Sequence, residues 1–138
     1  MYDRLLVAVD HSEVSGRVLA AAKDLATLSK GKVWVLHLRE REIIAQMGRV
    51  PSESDTEAHR AVDDGVDALR KAGIEANGEV RETVFGHAAR EIVADAKERN
   101  ADVIIMGSRG RSEFAGALLG STAHKVIHLT DRQVLVVR

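Results

Sequence analysis

Residues 107 to 121 read GSRGRSEFAGALLGS, a Gly-x2-Gly-x9-Gly-Ser spacing that directly follows an apolar run ending at Met106. Glycines at a strand exit let backbone N–H groups approach an anion with no Cβ in the way. A hydroxyl at the start of the next helix adds a donor where the helix dipole is positive. The segment is therefore expected to cradle phosphate. Gly107 and Gly110 also suit a plain turn, and Ser121 and Thr122 suit a plain helix cap beginning after Gly120. The cap and anion readings are compatible, because a capped helix start is itself an anion site. Arg109 and Arg111 carry guanidinium forks that match phosphate oxygens. Surface arginines are usually only solvated, so Arg109, inside the spacing, is the stronger candidate.

Asp10 is the other residue placed to do chemistry, since it ends the apolar run Leu5–Val9 and precedes Ser12. It can cap the following helix, or its carboxylate can accept from ribose hydroxyls, and the second role is favoured. A lone carboxylate makes a weak divalent-cation site. His124 and His128, four residues apart, face one way on a helix but lack a third ligand, so packing or solvent exposure is expected and no metal site is assigned. His87 and Glu91 share that spacing, and for the same reason no metal site is assigned to them. His37 is expected to pack at a strand end.

These residues need elements to hold them. Leu5–Val9 and Val33–Leu38 are short apolar runs of the buried-strand type. Between them Val14, Val18, Ala21, Ala22, Leu25 and Leu28 recur at helical spacing, with Ser12 as cap and Gly31 as stop. Residues 39–54 include the single proline, Pro51, have weak periodicity and are expected to form a long loop serving as lid or partner surface. A helix is expected from about Asp55 to Lys71, closed by Gly73. A half-polar strand over Ile74–Thr83, a helix over His87–Arg99 and a strand over Asp102–Met106 come next. A helix from Ser121 to about Leu129 and a strand over Val134–Val137 end the chain.

This βαβαβαβαβ alternation implies an α/β fold, a single doubly wound five-stranded parallel sheet of order 3-2-1-4-5 with helices on both faces. In such sheets ligands bind beyond the carboxyl ends of the strands, where the order reverses. Asp10 and Gly107 leave the two strands that flank that point.

With 138 residues the chain fits one domain, 1–138. A domain of this size buries roughly two-thirds of the surface its unfolded chain exposes. Aromatics are 3%, so the core must be aliphatic and base stacking on aromatic platforms is not expected. The net charge of −1 argues against broad electrostatic binding to nucleic acid. The absence of cysteine excludes thiol chemistry and disulfides. No apolar stretch approaches the ~20 residues that span a bilayer, and the opening MYDRLLVAVD lacks a signal-peptide pattern; a cytoplasmic protein with no membrane partner is expected. There is no Gly-x4-Gly-Lys-Ser/Thr, no Gly-x-Gly-x-x-Gly after the first strand, no Gly-x-Ser-x-Gly and no His-Glu-x-x-His, which removes the usual signatures of several enzyme classes.

Taken together, LLVAVDHSE, VWVLHLRERE, FGHAAREIVADAKERNADVIIMGSRGR, LLGSTAHKVIH and QVLVVR resemble the universal stress protein family, in its nucleotide-binding branch. The resemblance runs over nearly the whole chain; Gln133, where the family usually has Pro, departs from it. It implies ATP or a related adenine nucleotide, AMP and cyclic AMP included, with or without Mg²⁺. On this sequence Ala8, Val9 and Asp10 would meet the nucleoside and Leu38 the adenine edge. Met106, Gly107, Arg109, Gly110, Gly120, Ser121 and Thr122 would line the phosphates and ribose. It also implies a homodimer through the terminal strand Val134–Val137, an exposed apolar edge able to pair with a second chain. The expected role is a regulatory module coupling nucleotide occupancy to a partner or to assembly, with no catalytic residue. The alternatives are a slow ATPase using Asp10 or His11 to orient water, and an interaction domain whose crevice is empty or holds AMP or cyclic AMP.

Overall fold

The computed structural model describes residues 1–10, 12–44, 48–51, 54–109 and 119–138. Strand β1 is Arg4–Val9, followed by helix α1 at Val14–Ser29 and β2 at Lys32–Ile44. A short β3, Gly48–Pro51, precedes α2 at Asp55–Lys71 and β4 at Ala76–Val84. Then come α3 at Ala88–Glu98, β5 at Val103–Gly107, α4 at Ser121–Leu129 and β6 at Gln133–Val137.

Five strands pair in parallel in the order β4-β2-β1-β5-β6. Counted among themselves they stand 3-2-1-4-5, so the order reverses between β1 and β5 as expected. The alternation of β1 explains why the sheet is covered on both sides. Leu5, Val7 and Val9 point to one core with Val14, Val18 and Ala22 of α1 and Val62, Val66 and Leu69 of α2. Leu6 points to the other, with Ala89, Ile92 and Ala96 of α3 and Ala123 and Val126 of α4. A period of two sends neighbours to opposite faces, and both faces need an apolar cover.

The segment expected to be a loop, residues 39–54, departs from that reading. Strand β2 runs on to Ile44, and β3 pairs with it antiparallel, Arg41 opposite Pro51 and Ile44 opposite Gly48. Charged residues on this extension mask its strand character. Arg39 is buried and its guanidinium lies 3.2 Å from Asp55 and 3.3 Å from Glu82, so tertiary ion pairs replace an apolar face.

Helix ends follow local rules with one exception. Ser54 and Glu57 form a reciprocal capping box at α2, and Gly73, at φ 82°, follows that helix. Ser12, expected to cap α1, does not: Glu13 is the cap residue and makes no side-chain cap bond. The left-handed residue closing α1 is Lys30 rather than Gly31. Gly31 is required for another reason, because a Cβ there would stand 2.2 Å from the Tyr2 carbonyl oxygen. Among the described residues no helix is long and apolar enough to cross a membrane.

Candidate nucleotide-binding cleft

Strands β1 and β5 end together at the reversal point. Their carboxyl ends open, beside the middle of β2, onto a cleft of about 650 Å³. Its floor is apolar, formed by Ala8 and Val9 of β1, Leu36 and Leu38 of β2 and Met106 of β5, with Ala88 and Ile92 of α3 alongside. Its rim is polar: Asp10, Ser12 and Ser15 on one side, Ser108, Arg109 and Thr122 on the other. An apolar slot with a few convergent polar groups suits a ligand with a flat ring and a charged tail.

The tail end is set by α4. Gly120 is its cap residue and offers no side-chain acceptor. The first bond within the helix runs from the His124 N–H to the Gly120 carbonyl at 2.9 Å. The amides of Ser121, Thr122 and Ala123 consequently have no acceptor inside the helix, and the dipole adds positive potential there. A side chain at Gly107, at the exit of β5, would crowd its neighbours. A Cβ would lie 2.9 Å from Val14 Cγ1 and 3.2 Å from the Arg109 carbonyl oxygen.

The Asp10 carboxylate is already tied into the fold. Its Oδ1 accepts from the Ser12 N–H at 2.7 Å and from the Ser15 hydroxyl at 2.9 Å. Ser15 Oγ in turn accepts the Asp10 N–H at 2.9 Å. Oδ1 holds the turn, and Asp10 also lines the cleft. His37 is buried with Nδ1 2.7 Å from the Val9 carbonyl. A carbonyl only accepts, so Nδ1 carries the hydrogen and donates. This agrees with packing at the strand end, and the ring also lines the cleft.

Of the residues expected from sequence, Ala8, Val9, Asp10, Leu38, Met106, Gly107, Arg109, Gly120 and Thr122 all line this one cleft. Ser121 opens α4 with an exposed side chain, outside the lining. Gly110, Arg111 and His11 lie outside the described residues. Sequence reasoning did not find Ser15, Glu40, Ser108, Ala88 or Ile92. The five-residue step from Asp10 to Ser15 matches no motif, whereas Ala88 and Ile92, one turn apart on the inward stripe of α3, gave a usable signal. His124 and His128 are exposed with their rings 4.6 Å apart, and no group of three metal-binding side chains occurs among the described residues.

Known proteins fit this picture. The universal stress protein family model matches residues 1–138. Universal stress protein YxiE of Bacillus subtilis is 33% identical, covering 100% of both chains. The universal stress protein of Archaeoglobus fulgidus in complex with dAMP superposes with a TM-score of 0.74 at 28% identity, covering 99% of this chain and 98% of the other. A universal stress protein in complex with cAMP gives 0.71 at 25% identity, over 99% and 97%. Fold, cleft and whole-length similarity agree, and the chain belongs to the universal stress protein family.

Proposed function

We propose that this protein binds an adenine nucleotide, ATP first among them, and acts as a regulatory module rather than an enzyme. The observation that carries this reading is the cleft between β1 and β5, with an apolar slot at one end and the amides opening α4 at the other. Two similar proteins were solved with dAMP and with cAMP, which supports an adenine nucleotide as the ligand class. Met106 and Leu38 would hold the base, Asp10 the ribose, and Gly120 with Thr122 the phosphates. Mg²⁺ would ride on the phosphates, since no cluster of carboxylates for it occurs among the described residues.

Helix-end and charge contacts of ~0.3–2 kcal/mol each, added to burial of the base, suit micromolar binding, about −8 kcal/mol. Occupancy would be read out by a partner or by self-assembly in the cytoplasm. Strand β6 is an edge of the parallel sheet and exposes Leu135, which suits antiparallel pairing with a second copy. The test is calorimetric titration with ATP, ADP, AMP and cyclic AMP, with and without Mg²⁺. Micromolar binding of at least one, with no phosphate release above background, supports the reading. Absence of binding to all four overturns it.

A further inference from the structure

A second cavity, of about 740 Å³, lies at the amino ends of the strands, at the opposite end of the sheet from the nucleotide cleft. Arg4 and Lys32 stand directly opposite each other in the β1·β2 ladder, and both line this cavity. Like charges in that position repel, and both side chains are solvent-exposed with no ion pair to any described residue. Strand alternation puts them on the face that carries Trp34.

Trp34 brings two further features. The Arg99 guanidinium carbon lies 3.3 Å above its ring, and Arg99 Nε donates to both Asp95 oxygens at 3.0 Å. That carboxylate is fully buried, so the guanidinium plane is fixed while its side chain stays 29% exposed. The indole Nε1 is buried without a hydrogen-bond partner among the described residues. Only one carboxylate, Glu75, lines the cavity. The nearby Asp102 spends Oδ2 on the backbone amides of Asp3 and Arg4.

The geometry points to a binding site for a small planar organic anion, an aryl phosphate or aryl carboxylate. Its charged group sits between Arg4 and Lys32, and its ring lies on the outer face of the Arg99 guanidinium, which stacks well on flat rings. This site is separate from the nucleotide cleft and does not rest on the reading of that cleft.

Trp34 is the only tryptophan, so intrinsic fluorescence reports on this cavity. The full chain is titrated with phenyl phosphate, benzoate and inorganic phosphate. A saturable change with phenyl phosphate or benzoate is expected, at least about tenfold tighter than with inorganic phosphate. Arg4→Gln with Lys32→Gln should weaken it at least about tenfold while ATP binding, followed by calorimetry, stays unchanged. If the double variant does not fold, Lys32→Gln alone should weaken it several-fold. No saturable change up to about 10 mM, equal affinity for inorganic phosphate, an unaltered response in the folded variants, or a parallel loss of ATP binding would overturn the assignment.

Discussion

The Ser108 carbonyl oxygen accepts the Gly120 N–H at 2.5 Å, joining the exit of β5 to the start of α4. The Ser108 N–H meanwhile donates to the Val137 carbonyl at 2.7 Å. One buried residue thus links three elements, and a backbone bond fastens the start of α4 beside the cleft. Preorganised amides of this kind need no rearrangement when an anion arrives.

Thr122→Asp should move stability and binding in opposite directions. The first turn of α4 has no acidic residue, so a carboxylate there gains ~0.3–1 kcal/mol from the helix dipole. The same charge would repel phosphates bound at this helix start. Thermal melting should be unchanged or higher, while calorimetry should give ATP binding at least about tenfold weaker. Unaltered ATP affinity would place the phosphates elsewhere.

Asp10 has two roles that two substitutions can separate. Asparagine keeps an oxygen for the Ser12 N–H and the Ser15 hydroxyl but removes the charge. Alanine removes both acceptor contacts and leaves donors unmatched, at about 1–3 kcal/mol. Urea unfolding should therefore find Asp10→Asn near wild type and Asp10→Ala clearly weaker. Both should lose nucleoside affinity in calorimetry; full affinity in Asp10→Asn would reduce the residue to a turn former.

Gly107→Ala tests the close packing at the β5 exit. The new methyl meets Val14 Cγ1 at 2.9 Å, and overpacking of this kind costs about 1–3 kcal/mol. Val14→Ala in the same chain should recover part of the loss, with a coupling of about 0.5–3 kcal/mol in a double-mutant cycle. Strict additivity of the two substitutions would rule out the contact.

How far the sequence alone reached depends on where each signal resides. Leu5–Val9 reads as a strand because both its faces are buried, so the run is unbroken. Ser54 and Glu57 cap α2 through local bonds, a signal passed over when residues 39–54 read as a loop. The β2 extension was illegible because Arg39, Glu40, Arg41 and Glu42 look like loop residues, whereas pairing with β3 and β4 and ion pairs to the distant Asp55 and Glu82 support the strand. In the cleft lining, Gly107 and Gly120 were legible from spacing and Asp10 from its place after β1. Ser108 was not: its contribution is two backbone bonds to Gly120 and Val137, which any residue type can make. Ser12 misled because α1 begins one residue later, with Glu13 as its cap residue, while the Ser12 N–H closes the turn on Asp10.

Acid should expose the ion pairs beside that extension. The hydrogen bond from Arg41 holds the Glu82 carboxyl below its ordinary value of 4.5 against the opposing effect of desolvation, with the charges of Arg41 and Arg39 adding to it. A depressed folded-state value means stability that is present above about pH 4.5 and lost as pH falls through the folded value. Urea unfolding of wild type and Glu82→Gln should differ at pH 7, and the difference should shrink below about pH 4.5. Because Glu82 is exposed, added salt should shrink it as well. A gap that persists at low pH would assign the effect to packing.

A crystal structure at saturating ATP is the most direct trial of the whole account. The base should lie between Leu38 and Met106, with phosphate oxygens within hydrogen-bond distance of the amides that open α4 at Ser121 and Thr122. A cleft left empty at saturation, or phosphates seated away from that helix start, would contradict it.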